Sequence, residues 1–105
     1  MDRFEYVKWF LKYIDDKTPV LFFYEVDTEK ERYATRMTEV YANRRTVPVT
    51  EEGFEFITEA PIPTLDEINT EREFYAVNIT KDEFEAVYSS DRYEGSIEFP
   101  AKETR

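Results

Sequence analysis

The chain has 105 residues, with 24 acidic and 14 basic side chains and neither cysteine nor histidine. At this length we expect a single domain over 1–105, with an ordered core of about 3–100. Without cysteine or histidine, the chain cannot form disulfides, thiolate nucleophiles, catalytic triads or the usual zinc sites. Its two glycines are too few for a phosphate-binding loop. The composition therefore favours a binding protein over an enzyme, and neither a cofactor nor a metal is expected.

The net charge of −10 comes entirely from the C-terminal half of the chain. Residues 1–50 hold nine acids and nine bases, whereas residues 51–105 hold fifteen acids and five bases. Such a surface repels nucleic acid and anionic membranes and attracts basic proteins, and it raises association rates roughly 10- to 1000-fold at low salt. Acidic surfaces also keep small proteins in solution, so the charge alone does not identify a partner.

No segment of the sequence has the pattern of a signal peptide or a membrane span. The longest apolar run, Val20–Tyr24, is far shorter than the ~20 residues that a membrane helix needs. A cytoplasmic location is therefore expected.

Four strands are predicted in the first half of the chain, over Tyr6–Tyr13, Val20–Val26, Glu31–Tyr41 and Arg45–Thr50. Alternation in the first strand puts Trp9 on one face and Phe10, between Lys8 and Lys12, on the other. The second strand is apolar on both faces at its start, which indicates a central position. Pro48 marks the fourth as an edge strand.

The second half predicts helices as well as strands. Glu51–Ala60 is a candidate for another short strand, and for Glu71–Asn78 both loop and strand remain open. Capping boxes at Thr64–Glu67 and Thr80–Glu83 predict two short helices, the second with Phe84 at the start of its apolar face. The predicted fold class is α+β, with an antiparallel sheet of about four to five strands and two short helices in the C-terminal half.

Two acidic patterns that resemble active sites are better explained as structural. The pairs Asp15–Asp16, Glu51–Glu52 and Asp82–Glu83 are adjacent, whereas glycosidase carboxylates face each other across a cleft. Asp27–Glu31 alternates acids without the glycine of a calcium loop. A salt-bridged turn is predicted there instead.

Six basic residues of the first half are candidates for a nucleic-acid patch between aromatic residues: Lys8, Lys12, Arg32, Arg36, Arg44 and Arg45. Sheets with aromatic platforms bind single strands in this way. The net charge has the wrong sign, however, and the aromatic signature of such sheets is absent. Pairing of these bases with the acidic half is the favoured interpretation.

The acidic second half supplies the candidate partner-binding surface. Carboxylates at this density imitate a phosphate backbone, and tyrosines among them supply strong interface contacts. Acids in the capping boxes also stabilise helix N-termini, which competes with an interface role. The candidate partner-binding residues are Glu55, Glu59, Asp66, Glu67, Glu71, Glu73, Tyr75, Glu85 and Tyr88.

Seven segments of the chain carry a resemblance to a known family: Tyr6–Trp9, Pro19–Leu21, Tyr24–Asp27, Tyr33–Arg36, Glu39–Tyr41, Pro61–Ile68 and Ile79–Tyr88. Over roughly residues 6–88 the chain resembles small bacterial domains of unassigned function, which are similar to the immunity partners of polymorphic and contact-dependent growth inhibition toxins. The resemblance implies a non-enzymatic inhibitor of a cognate toxin, often a nuclease, whose gene lies directly before the immunity gene. It carries over no catalytic residue and no binding residue.

Resemblance and charge together predict an immunity protein that neutralises a basic toxin domain by covering its active site. Direct contact with nucleic acid or membrane is not expected, and the oligomeric state stays open. Three alternatives remain: an acidic nucleic-acid mimic that inhibits a DNA- or RNA-binding enzyme, a small carboxylate-based enzyme or ligand-binding domain, and a small adaptor.

Overall fold

The computed structural model describes residues 3–12, 17–49 and 61–97. The elements in these ranges are, in chain order, β1 (Phe4–Leu11), β2 (Leu21–Asp27), β3 (Tyr33–Val40), β4 (Thr46–Val49), α1 (Leu65–Asn69), β5 (Phe74–Asn78) and α2 (Lys81–Tyr88). The predicted α+β class, with an antiparallel sheet and two short helices in the C-terminal half, is confirmed. The strand predicted within Glu51–Ala60 lies outside the described residues.

The five strands form one antiparallel sheet in the order β4-β3-β2-β1-β5. The first four strands form a meander, and β5 returns to pair with β1, where Ala76 lies opposite Trp9. The central position predicted for the second strand and the edge position predicted from Pro48 are confirmed. The segment Glu71–Asn78 contains β5, because Phe74 and Ala76 pack on the sheet face that holds Trp9.

Both predicted capping boxes are present and begin the two helices. The Thr64 hydroxyl accepts the Glu67 N–H, and the Glu67 carboxylate accepts the Thr64 N–H at 3.0 Å. Thr80 and Glu83 make the same reciprocal pair at 3.1 Å. Each box satisfies backbone N–H groups that have no partner within the helix.

The two helices lie on opposite faces of the sheet. Ile68 of α1 belongs to a buried cluster with Val7, whereas Phe84 of α2 belongs to a second cluster with Tyr6 and Phe10. Tyr6 and Val7 are neighbours in β1, so their side chains point to opposite faces. The face that holds Val7 is therefore the α1 face, and the face that holds Tyr6 is the α2 face.

Both faces of β1 take part in the core. Val7 is 0% exposed on the α1 face, and Phe10 is 5% exposed on the α2 face. Phe10 is thus a core residue although the sequence places it between two lysines. Lys8, on the same face, is only half-buried.

Candidate functional site

The free edge of β5 is closed by a side chain from α1. The Asn69 side-chain nitrogen donates to the Ala76 carbonyl at 3.0 Å, and Asn69 Oδ1 accepts the Ala76 N–H at 2.7 Å. Asn69 thus replaces the hydrogen bonds that another strand would make with Ala76. Such devices protect a sheet edge from pairing with other chains.

The opposite edge of the sheet, on β4, is also blocked. The Thr46 N–H points outward and donates to the Asp91 carbonyl at 3.2 Å. Pro48, two residues on, faces the same way and has no N–H to offer. With both edges closed, we expect a protein partner to contact a face or a helix of this domain and not to extend its sheet.

The structure separates the candidate partner-binding residues into two groups on opposite sides of the sheet. Around α1 and the turn that leads to β5 lie Asp66, Glu67, Glu71 and Glu73. On the α2 side lie Tyr75, Glu85 and Tyr88. Glu55 and Glu59 lie outside the described residues. A partner that binds one side of the domain can therefore contact only one of the two described groups.

The group around α1 borders a groove of about 440 Å³. The half-buried rings of Trp9 and Phe74 line it in an edge-to-face arrangement, with ring centroids 5.2 Å apart. The exposed side chains of Glu67 and Glu71 line it as well, next to the buried Ile68. These five residues define the α1 corner, which combines apolar rings with negative charge.

Trp9 lies in this corner, although neither it nor Phe74 is among the candidate binding residues named from the sequence. Its ring also lies 6.4 Å from the ring of Phe22 and 6.0 Å from that of Tyr24. Its buried Nε1–H has no acceptor among the residues that the structure describes. Tryptophan is enriched among residues that dominate binding energy. The single tryptophan of the chain was therefore the sequence feature that could have identified Trp9 as a candidate binding residue.

Glu67 keeps its negative charge while it caps α1. Hydrogen bonds from the Thr64 N–H and hydroxyl hold the pKa of the Glu67 carboxyl below its ordinary value. The capping role and a role in the acidic rim are therefore compatible, because the side chain is exposed as well.

The candidates on the α2 side are engaged within the fold. Glu85 accepts two hydrogen bonds from Arg36, at 2.6 and 3.0 Å, and these hold the pKa of Glu85 below its ordinary value. Tyr88 stacks on Phe84 with ring centroids 5.6 Å apart. Tyr75 packs against Phe10 at 5.9 Å. These internal contacts explain the positions of all three side chains, and no binding partner is needed to explain them.

A buried acid sits at a bulge between β2 and β3. Glu25 pairs with Arg36, but the next pair is Val26 with Ala34, so β3 has an extra residue, Thr35. Because two β3 residues oppose one β2 residue at a bulge, both Thr35 and Arg36 reach the Glu25 carboxylate. The bulge therefore supplies this buried charge with its donors.

The remaining bases show how far the predicted pairing with the acidic half holds. Arg36 does bind Glu85 of that half, but Arg32 pairs with Glu5 at 2.7 Å. Arg44 donates to backbone carbonyls of residues 93 and 95. The pairing with an acid of the second half is confirmed for Arg36. The ion pair of Arg32 is with Glu5 of the first half, although its guanidinium also donates to the carbonyls of Ile62 and Pro63.

The predicted salt-bridged turn after β2 is confirmed. Asp27, 2% exposed, accepts hydrogen bonds from Arg3 at 2.8 and 3.1 Å and from the Glu29 N–H at 3.0 Å. The Arg3 guanidinium holds the pKa of Asp27 below its ordinary value. Its carboxylate is therefore committed to the turn that joins β2 and β3.

Within residues 3–12, 17–49 and 61–97, no cluster of three acids has the spacing of a metal site. The helices found in these ranges are all too short and too polar to cross a bilayer.

Sequence comparison places the chain in a protein family. No curated protein and no solved structure gives a significant match. The family described as "Domain of unknown function (DUF6881)" matches residues 3–93, which is most of the chain. This chain belongs to the DUF6881 family, whose function is unassigned.

Proposed function

We propose that this chain is an immunity protein, which binds a cognate basic toxin domain and neutralises it without catalysis of its own. The observation that carries the proposal is the α1 corner, where Trp9 and Phe74 lie beside the exposed carboxylates of Glu67 and Glu71. A nuclease is the toxin class that such a surface fits best, because a nuclease presents a basic cleft to its substrate.

The two components of the corner have different tasks in this proposal. The carboxylates attract a basic surface over a distance and increase the rate of encounter. The rings of Trp9 and Phe74 provide apolar contact area at short range, where aromatic residues contribute most to affinity.

Inhibition in this proposal is occlusion. The α1 corner covers the basic cleft and excludes the nucleic acid that the toxin would cleave. The two most buried carboxylates of the described chain, Glu25 and Asp27, are bound by Arg36 and Arg3. Their commitment to internal pairs favours a binding role over a carboxylate-based enzyme. Because an immunity protein must saturate its toxin in the producing cell, we expect a dissociation constant near 1 nM or below, about −12 kcal/mol.

The experiment that tests the proposal is a toxicity-rescue assay. The C-terminal domain encoded directly upstream of this gene is expressed with and without this chain, and growth is followed. We expect the upstream domain to stop growth and this chain to restore it. An upstream domain that is harmless, or that kills with this chain present, contradicts the proposal.

A matched variant separates the α1 corner from the rest of the surface. In Trp9→Phe the ring cluster is kept, whereas the indole N–H and part of the contact area are lost. We expect this variant to fold and to rescue at higher expression only, because the complex dissociates faster. The control Phe22→Tyr changes a half-buried ring of the same face that does not line the groove, and we expect it to rescue like the wild type.

A further inference from the structure

The amino group of Lys8 is surrounded by aromatic rings on the α2 face. Its Nζ lies 4.6 Å from the ring centroid of Phe10, 4.9 Å from that of Tyr93 and 5.9 Å from that of Phe23. It donates a hydrogen bond to the Tyr93 hydroxyl at 2.6 Å. In the part of the chain that the structure describes, no carboxylate lies within ion-pair distance of Lys8.

This ammonium group is therefore half-buried and has no counter-ion among the described residues. Burial lowers the pKa of Lys8 below its ordinary value, and the charge of Glu83 counteracts this only in part. The surrounding rings attract the charged form, and an ammonium has three donors of which Tyr93 takes one. A poorly hydrated cation with unused donors is stabilised by an anion that reaches it.

A pocket of about 340 Å³ opens beside Lys8. Its apolar lining comes from β2 and α2, with Phe23, Ala86 and Val87, and from Ile79 before α2. The volume is within the usual range of small-molecule sites, which combine apolar walls with a few polar groups. The other cation in the lining, Arg92, is already paired with Glu94 at 2.7 Å. Lys8 is thus the group in this lining that is suited to hold an anion.

We propose that this pocket binds a small organic monocarboxylate, with its carboxylate on Lys8 Nζ and its apolar body against Ile79, Ala86 and Val87. The site is on the α2 face, opposite the α1 corner, so the inference is independent of the proposed function. Glu83 and Glu94 also line the pocket and oppose any anion, although Glu94 is paired with Arg92. A ligand with one negative charge and an apolar body is repelled less by this negative charge than a phosphate or a dicarboxylate is.

The test is an NMR titration of the intact chain with 4-phenylbutyrate, and with 4-phenylbutan-1-ol as the uncharged counterpart. We expect saturable shifts of the Lys8 side-chain signals and of the backbone amides of Ala86 and Ser90 with the acid. The alcohol should bind roughly tenfold to hundredfold more weakly, because it lacks the charge-assisted hydrogen bond. No saturation with the acid, or equal responses to acid and alcohol, overturns the proposal.

Three variants sharpen this test. Lys8→Met keeps the length and apolar character of the side chain and should abolish the preference for the acid. Lys12→Met removes one positive charge from an exposed position and should leave binding unchanged. Glu83→Gln retains a residue that fits the capping box and should bind the acid more tightly, since the opposing charge is gone.

The variants also guard against a failure to fold. If Lys8→Met is unfolded, two other measurements test whether Lys8 binds the acid. They are the affinity of Glu83→Gln for the acid, compared with that of the wild type, and the shifts of the Lys8 signals in the wild type. Unchanged affinity in Glu83→Gln, or Lys8 signals that do not move while the acid binds elsewhere, refutes the assignment to Lys8.

Discussion

Arg36 and Glu25 form a bidentate ion pair across the bulge between β2 and β3. Arg36 Nε lies 2.9 Å from Glu25 Oε1 and Nη2 lies 2.8 Å from Oε2. The Glu25 side chain is 10% exposed, whereas Glu85, the second partner of Arg36, is 42% exposed. The inner pair therefore contributes to stability in a different way from the outer pair.

Replacing Arg36 by Met should destabilise the fold by about 3–5 kcal/mol, because it leaves Glu25 as a buried charge without its partner. Glu85→Gln breaks only the exposed pair and should cost less than about 1 kcal/mol. Urea unfolding of both variants measures the difference. If the two variants lost similar amounts of unfolding free energy, Glu25 would have to be hydrated, which would contradict its burial in the structure.

The stability contributed by Glu25 should depend on pH in the acid range. Burial alone would raise the pKa of Glu25, but hydrogen bonds from Arg36, Tyr6 and Thr35 outweigh it and lower the pKa from 4.5 to about 2. A depressed pKa stabilises the folded state fully above the unfolded value, and this contribution is lost as the pH falls through the folded value. It amounts to on the order of 3 kcal/mol.

Glu25→Gln is the variant that isolates this effect. The difference in unfolding free energy between wild type and variant should be constant near neutral pH and should shrink between about pH 4.5 and pH 2. Unfolding curves at several pH values provide the measurement. A difference that stays constant down to pH 2 would show that the pKa of Glu25 is not depressed.

Phe84 is the central residue of the contact between α2 and the sheet. It is 0% exposed, and its ring lies 5.2 Å from that of Tyr6. Phe84→Ala should cost about 3 kcal/mol or more, since it removes a large buried side chain and leaves a cavity. Ala86→Ser, at an exposed position of the same helix, should change stability by no more than about 0.5 kcal/mol. Retained stability in Phe84→Ala would refute its place in the core.

Asn69→Ala should affect both stability and self-association. It removes two hydrogen bonds from the backbone of the buried Ala76, at a cost of about 1–3 kcal/mol, and it opens the edge of β5 to pairing with another chain. We expect light scattering to show association that increases with concentration. Arg72→Ala, an exposed position in the turn between α1 and β5, is the control and should behave like the wild type.

The features that the sequence predicts correctly are those whose causes are local. A capping box involves four consecutive residues, so Thr64–Glu67 and Thr80–Glu83 identify both helix starts. Pro48 lacks an N–H wherever it lies, and this favours an edge position. The apolar pattern of β2 likewise reflects a strand with both faces covered.

Strand β5 and the candidate site depend on residues that are distant in sequence. Phe74–Asn78 becomes a strand by pairing with β1, more than sixty residues earlier. Glu85 is withdrawn from the candidate surface by Arg36, 49 positions away. Trp9 lines a groove because α1 contacts β5 at that side of the sheet. No local pattern contains this information.

The measurement that tests the central claim most directly is the association rate of the toxin complex with two charge-reversed variants. Asp66→Lys with Glu71→Lys reverses charge at or beside the α1 corner. Asp82→Lys with Asp91→Lys reverses the same number of exposed acids on or near α2. Asp66 and Asp82 occupy the same position after their helix caps, and both variants change the net charge from −10 to −6.

We expect the corner variant to associate with the toxin at least about tenfold more slowly at low salt, with a smaller salt dependence than the wild type. The association rate of the α2 variant should decrease much less, although its net charge is the same as that of the corner variant. Equal rates for the two folded variants would show that only net charge matters, and an unchanged rate in the corner variant would contradict a role for this surface in binding.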